Sequence, residues 1–427
     1  MQSGPLDLTK RSQYLRVDKQ LMEYFKRIAS GIMFPMLLGF LAITFCRRTR
    51  NATVVFGFFA LISLFLNTAP LLLAGRMKEK KWRQEPCPEG GSVDEELVEE
   101  CDRRRIRLLC AAVFISIFVL MITAACLTTL LNVTYFCLAV AAMVLIGVPY
   151  GYYHIEHSMR NTVDWGAVQY EEFQDDIKYF FDLSSEATKT AFLGLPAMLS
   201  SQLKNSRCQR SAPVRVPEAL TMYTVLFGLF VMLMCSVPVA EDFKETREKF
   251  VKVLIRYSTY ALLALIAIVA FLAANEIFKA YVVLAFVILF GTYLGGLYWK
   301  ISRVLPSSEP KGNCEDKVSL RSRSLVWFGF CPAMFGVLMA SYSRSISGGS
   351  SEFTSLYKTC AFFIFIALIA NITRMLLVQK VREEDGGAPL LLISGIVNVA
   401  FMELTVFSVV LLALLQPQQI QDTFVLT

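Results

Sequence analysis

The sequence predicts an all-α fold, a polytopic transmembrane helical bundle of about ten spans, with nine and eleven also compatible. Three observations carry that prediction. The chain of 427 residues is 55% hydrophobic and only 18% charged, with a mean hydropathy of +0.51, whereas soluble domains carry about 25% charge. Continuous apolar runs of roughly twenty residues recur along it, each long enough to cross a hydrocarbon core of about 30 Å as a helix. The charges avoid those runs.

The runs fall at 28–46, 52–75, 108–131, 133–153, 219–240, 258–275, 280–299, 324–342, 359–378 and 388–415. A backbone in lipid must satisfy its own hydrogen bonds, which favours helices. Continuous apolarity, without alternation, excludes an outer-membrane barrel. Of 42 Lys and Arg and 35 Asp and Glu, all but Arg374, Glu403 and arguably Glu276 stand outside the runs, as the cost of intramembrane charge requires. The net charge of +7 is therefore a property of loops. It suits anionic lipid headgroups at the basic loops and gives no reason to expect nucleic acid, because the basic residues flank spans instead of lining one soluble face.

Segments 1–27, 28–153, 154–218, 219–415 and 416–427 divide the chain into a basic N-terminal stretch, four spans, a long loop, six spans and a short tail. The first apolar run follows 27 residues and reads as a signal anchor without a cleavable leader. Lys and Arg number six before the first span, three at 47–51, nine at 76–107, none between the third and fourth spans, and seven at 154–218. That pattern puts the N-terminus and both long loops in the cytoplasm. The second half conflicts with it. Segments 241–257 and 300–323 hold five and six basic residues, and a single crossing at 219–240 cannot leave 154–218 and 241–257 on the same side. One segment in 154–257 is therefore misassigned, and "AFLGLPAML" at 191–199, nine residues long, is the candidate for a re-entrant stretch.

Two loops are candidates for docking a protein partner. The 76–107 loop alternates basic, acidic and basic blocks, and also serves as a solvated connector with topogenic charge at its ends. In 154–218, Tyr170, Phe173, Ile177 and Phe180 or Phe181 recur at helical spacing, with Glu171, Glu172, Asp175 and Asp176 on the polar side. That predicts an amphipathic acidic helix, which suits packing against protein better than an anionic membrane surface.

Enzyme chemistry finds no foothold: GxSxG, GxxxxGK[ST], HExxH and GxGxxG are absent. "SLYK" at 355–358 matches SxxK but lacks its companion motifs. No cofactor is implied. His154 and His157 are the only two histidines. They are weak metal candidates without an identifiable third ligand, and with Tyr150, Tyr152 and Tyr153 they mark the interface depth of the fourth span. The eleven cysteines lie in spans or singly in charged loops, which excludes a disulfide framework.

The substrate-binding or proton-coupling candidates are Glu403, Arg374, Asn371 and Asn398. Glu403 lies mid-span, and an ionisable group at that depth is a functional candidate by default. If the last helix begins at 388, Arg374 faces about residue 392 and Glu403 lies about 16 Å deeper; if it begins near 396, the offset shrinks to about 4.5 Å and the two can pair. Asn398 and Asn371 are the alternative partners for a protonated Glu403, and Arg374 can snorkel to the interface. Gly147–Gly151 and Gly291–Gly295 have GxxxG spacing, expected at close helix contacts. Pro35, Pro70, Pro149 and Pro332 permit kinks or breaks. The expected function is a transporter-like bundle that moves or binds a small solute. The alternative is a non-transporting membrane scaffold or regulator acting through its cytoplasmic loops.

Overall fold

A computed structural model describes residues 169–204, 215–236, 245–303, 324–346, 355–381 and 388–425, together with helical stretches within 22–28, 57–69, 108–127 and 134–144. Among the described residues the regular structure is helical throughout, without a strand. The long helices are α1 (Gln169–Lys204), α2 (Val216–Ser236), α3 (Glu245–Phe278), α4 (Val282–Arg303), α5 (Cys331–Ile346), α6 (Ser355–Val381) and α7 (Ala388–Val425).

Five stretches are long and apolar enough to cross a membrane: Val216–Cys235, Val253–Gly295, Ser324–Ile346, Tyr357–Gln379 and Leu392–Leu411. They are consistent with an integral membrane protein. The six runs expected after residue 218 overlap these five stretches. Of the four expected before it, Ala111–Leu127 is a shorter apolar helix, and the others lie largely outside the described residues.

Val253–Gly295 overlaps two of the expected spans, and the chain bends sharply between them. Lys279 has φ of 53°, the left-handed conformation that ends helices, and a 3-10 turn follows at Lys279–Tyr281. Fifteen residues of unbroken helix would separate Phe271 from Phe286 by about 22 Å. Their ring centroids are instead 5.8 Å apart. The stretch is therefore two helices, α3 and α4, folded back on each other.

Ser324–Ile346 is also interrupted, and the cause is Pro332. It has no N–H to donate, and its ring crowds the carbonyl four residues earlier. The helical residues 324–328 close with a turn at Gly329 and Phe330, whose amides reach Leu325 and Trp327, before α5 resumes at Cys331.

Two departures from the sequence expectation concern loops. Residues 191–199 are not a separate short segment: they lie inside α1, 36 residues long, which runs through Pro196. The last helix also continues beyond 415, to Val425.

The described residues fall into two compact units. The first draws on Met1–Phe192, Arg210–Val214 and Met222–Leu262. In it, Ala187 and Ala191 of α1, and Val225, Leu229 and Met232 of α2, are fully buried. Gly228 of α2 faces Thr188 of α1, and a methyl group at Gly228 would overlap the threonine hydroxyl. That hydroxyl donates to the Ser184 carbonyl at 2.6 Å, so its polar atom is satisfied within its own helix.

The second unit draws on Leu193–Gln209, Arg215–Thr221 and Leu263–Thr427. The end of α1 packs on α5, where a Cβ at Gly194 would stand 2.5 Å from the Phe335 ring. The start of α6 receives the hairpin turn, with Phe278 against Phe362 at 5.6 Å and Phe286 against Phe365 at 6.0 Å. By contrast, Gly291 and Gly295 make no close helix contact: a Cβ at either would meet nothing within 4 Å. Among the described residues no helix meets this GxxxG face, and the close approaches occur at Gly194 and Gly228.

A polar cluster between the last helices

Helices α6 and α7 form an antiparallel pair whose register is set by three facing positions. Thr405 Oγ1 donates to the Phe363 carbonyl at 3.2 Å. Asn398 Nδ2 donates to Asn371 Oδ1 at 2.7 Å. Gly395 faces Arg374, whose Cζ and Nη2 would stand 3.8 Å from a Cβ there. Each step up one helix is matched, to within one residue, by a step down the other.

Residues on α7 alternate with helical period. Ile393, Ser394, Val397, Asn398, Phe401, Met402 and Thr405 are buried, which leaves Leu392, Ile396, Glu403 and Phe407 on the outer face. Asn371 and Asn398 are 1% and 0% exposed. Asn371 Nδ2 donates in turn to Met402 Sδ at 3.6 Å, while the buried Asn398 Oδ1 has no hydrogen-bond partner among the described residues. An interhelical amide bond of this kind contributes about 1 kcal/mol in a membrane interior.

Arg374 lies one helical turn from Asn371. Gly395 leaves room for its guanidinium, which interacts electrostatically with Tyr293 of α4. Among the described residues the buried Tyr293 hydroxyl has no hydrogen-bond partner. Among the described residues no carboxylate pairs with Arg374. The cluster thus brings together one cation, two buried amides and a phenol from three helices. Donors outnumber acceptors around the guanidinium, a composition that complements a carboxylate, a phosphate or a carbonyl.

Glu403 stands apart from this cluster. Because α7 begins at Ala388, Arg374 meets Gly395, and Glu403 is eight residues further on, about 12 Å along the axis. The two are too far apart to pair. Nor do the asparagines bond Glu403, since they bond each other and Met402. Its side chain is exposed, amid Leu404, Val406 and Phe407.

His154 and His157 lie outside the described residues, as does the whole 76–107 loop. In the "SLYK" stretch, Ser355 opens α6. Tyr357 accepts a hydrogen bond from Ser341 at 3.0 Å and lies under the Arg344 guanidinium at 5.8 Å.

The sequence reading overlooked a second set of charged residues, on α1. Arg27 pairs with Asp182, and Lys189 Nζ bonds Glu186 Oε1 at 2.6 Å. Ser184, Ser185, Thr188 and Thr190 are buried around them. The signal was present in "SSEATKT", where opposite charges three residues apart sit among small and hydroxylated residues. Three charges within eight residues, Asp182, Glu186 and Lys189, kept the segment below the hydropathy of a span.

No protein-family model, curated protein or solved structure matches this chain.

Proposed function

We propose that the protein is a multi-pass membrane protein whose bundle binds and moves a small polar solute, with Arg374, Asn371 and Asn398 as its contact residues. The supporting observation is the buried amide pair one turn from an intramembrane arginine that lacks a carboxylate partner among the described residues. Maintaining that cation at such depth is costly, and a bound anionic or carbonyl-bearing group offsets the cost. Tyr293 and the free acceptor of Asn398 offer orienting contacts, donating and accepting respectively.

The test is flux in proteoliposomes with a panel of radiolabelled small carboxylates, inorganic phosphate and neutral amides. Arg374→Ala is expected to abolish transport of the anionic members and Arg374→Lys to retain part of it, since lysine keeps the charge and loses the planar fork. Glu403→Gln is expected to transport normally. Loss of flux on Glu403→Gln with retention on Arg374→Ala would move the site to α7's outer face. An absence of flux for every solute would favour the alternative of a scaffold acting through its loops.

A further inference from the structure

We infer that α1 is itself a membrane-crossing helix, entering from the cytoplasmic side at Asp182 and leaving near Lys204, and that it carries the Glu186–Lys189 ion pair inside the bilayer. Length, burial, direction and charge bear on this separately.

From Asp182 to Lys204 is 22 residues, or about 33 Å of helix, the thickness of a hydrocarbon core. Within that interval Leu183, Ser184, Ala187, Thr188, Thr190, Ala191, Phe192, Leu195 and Met198 are fully buried. A helix lying on a membrane surface keeps its polar face in water; here the hydroxyl-bearing residues are as buried as the apolar ones. The entry point is marked by Arg27, which immediately precedes the first apolar run and pairs with Asp182. That pair places Asp182 beside the residue that precedes the first apolar run.

Direction comes from α5. Gly194 meets Phe335, while further along both helices Ser343 Oγ donates to the Met198 carbonyl at 3.1 Å. The two helices therefore run parallel. Helices α2, α3 and α4 intervene between them, and strict alternation makes α1 and α5 parallel only if α1 also crosses.

The positive-inside rule gives the same parity. With α1 crossing, segments 241–257 and 300–323, holding five and six Lys and Arg, are cytoplasmic, and 347–354, which holds none, is on the far side. Without it those two basic segments are both outside. The cost is that Lys204, Arg207, Arg210 and Arg215 move to the far side, fewer charges than are gained. Glu186 and Lys189 then lie about 6 and 10 Å beyond Asp182, 26% and 17% exposed. An ion pair at that depth is paired by necessity, because either charge alone is expensive there.

Native cysteines test the arrangement in the wild-type chain. Sealed microsomes with the cytoplasmic face outward are treated with a membrane-impermeant maleimide, and modified peptides are identified by mass spectrometry. With α1 crossing, Cys87, Cys101 and Cys314 react at once and Cys208 reacts only after detergent. Without it the pattern inverts: Cys208 reacts and Cys314 is protected. Reaction of both Cys208 and Cys314 in sealed vesicles, or protection of both, would equally overturn the inference. If Cys208 stays inert even in detergent, a protease site inserted after Gln209 gives the reading: cleavage in sealed microsomes refutes the crossing, and cleavage only after detergent supports it.

Discussion

Asn398 donates its carboxamide hydrogen to Asn371 Oδ1 across 2.7 Å, linking the last two helices side chain to side chain. Because both residues are buried and neither has water to fall back on, the bond sets the register of the pair as well as stabilising it. A one-residue slip would leave two amides facing hydrocarbon.

A double-mutant cycle isolates that bond. Asn371→Ala and Asn398→Ala are each expected to destabilise the protein by about 1–2 kcal/mol, since each strands the other amide in an apolar interior. The coupling energy is expected to be about 0.6–1.7 kcal/mol. Reversible unfolding from mild into denaturing detergent measures it, and a coupling near zero would show that the bond contributes nothing to register.

Two glycines in span sequences are expected to respond in opposite ways. Gly228→Ala drives a methyl into the Thr188 hydroxyl, which is already held by the Ser184 carbonyl. The expected loss is about 1–3 kcal/mol, typical of overpacking. Gly291→Ala meets open space and gains helix propensity, with an expected effect between neutral and about 1 kcal/mol stabilising. Thermal melts of the two variants in the same detergent decide it; equal destabilisation would mean that Gly291 does face a neighbouring helix.

Lys279 sits at positive φ in the α3–α4 turn, where a side chain costs about 1–2 kcal/mol. Lys279→Gly removes that cost but frees the unfolded chain, so the expected net gain is about 0.5–1 kcal/mol. Lys279→Val adds β-branching at the same dihedral and is expected to lose stability. A melt in which valine matches lysine would remove the turn from the list of constraints on the hairpin.

The helical class and the span positions after residue 218 could be read from the sequence because hydrocarbon thickness imposes one length on every crossing. The asparagines were also legible, as polar residues inside apolar runs. Their pairing was not, because the geometry depends on where α7 begins: a start at 388 or at 396 shifts the facing residue by several positions, and apolar sequence marks that boundary weakly. Glu403 shows the complementary difficulty. Depth in a span follows from counting, but which face it occupies follows from the partners of Asn398 and Met402, five residues and one residue before it. Helix α1 was the hardest to see. Its buried face mixes Leu, Phe and Met with Ser, Thr, Ala and Gly; the value of the small residues lies in letting helices approach, and hydropathy gives no weight to fit. The GxxxG at Gly291 erred the other way, since small residues permit a close approach without requiring one.

The partners of α1 are spread unevenly along the polypeptide, and this bears on how the protein is made. Arg27 emerges from the ribosome long before Asp182, whereas Gly228, which accommodates Thr188, emerges some forty residues after it. A segment bearing Asp182, Glu186 and Lys189 partitions poorly into lipid by itself. Its stable placement therefore awaits the synthesis of α2, and a nascent chain truncated before Val216 is expected to leave α1 within reach of the translocon or of quality-control proteases.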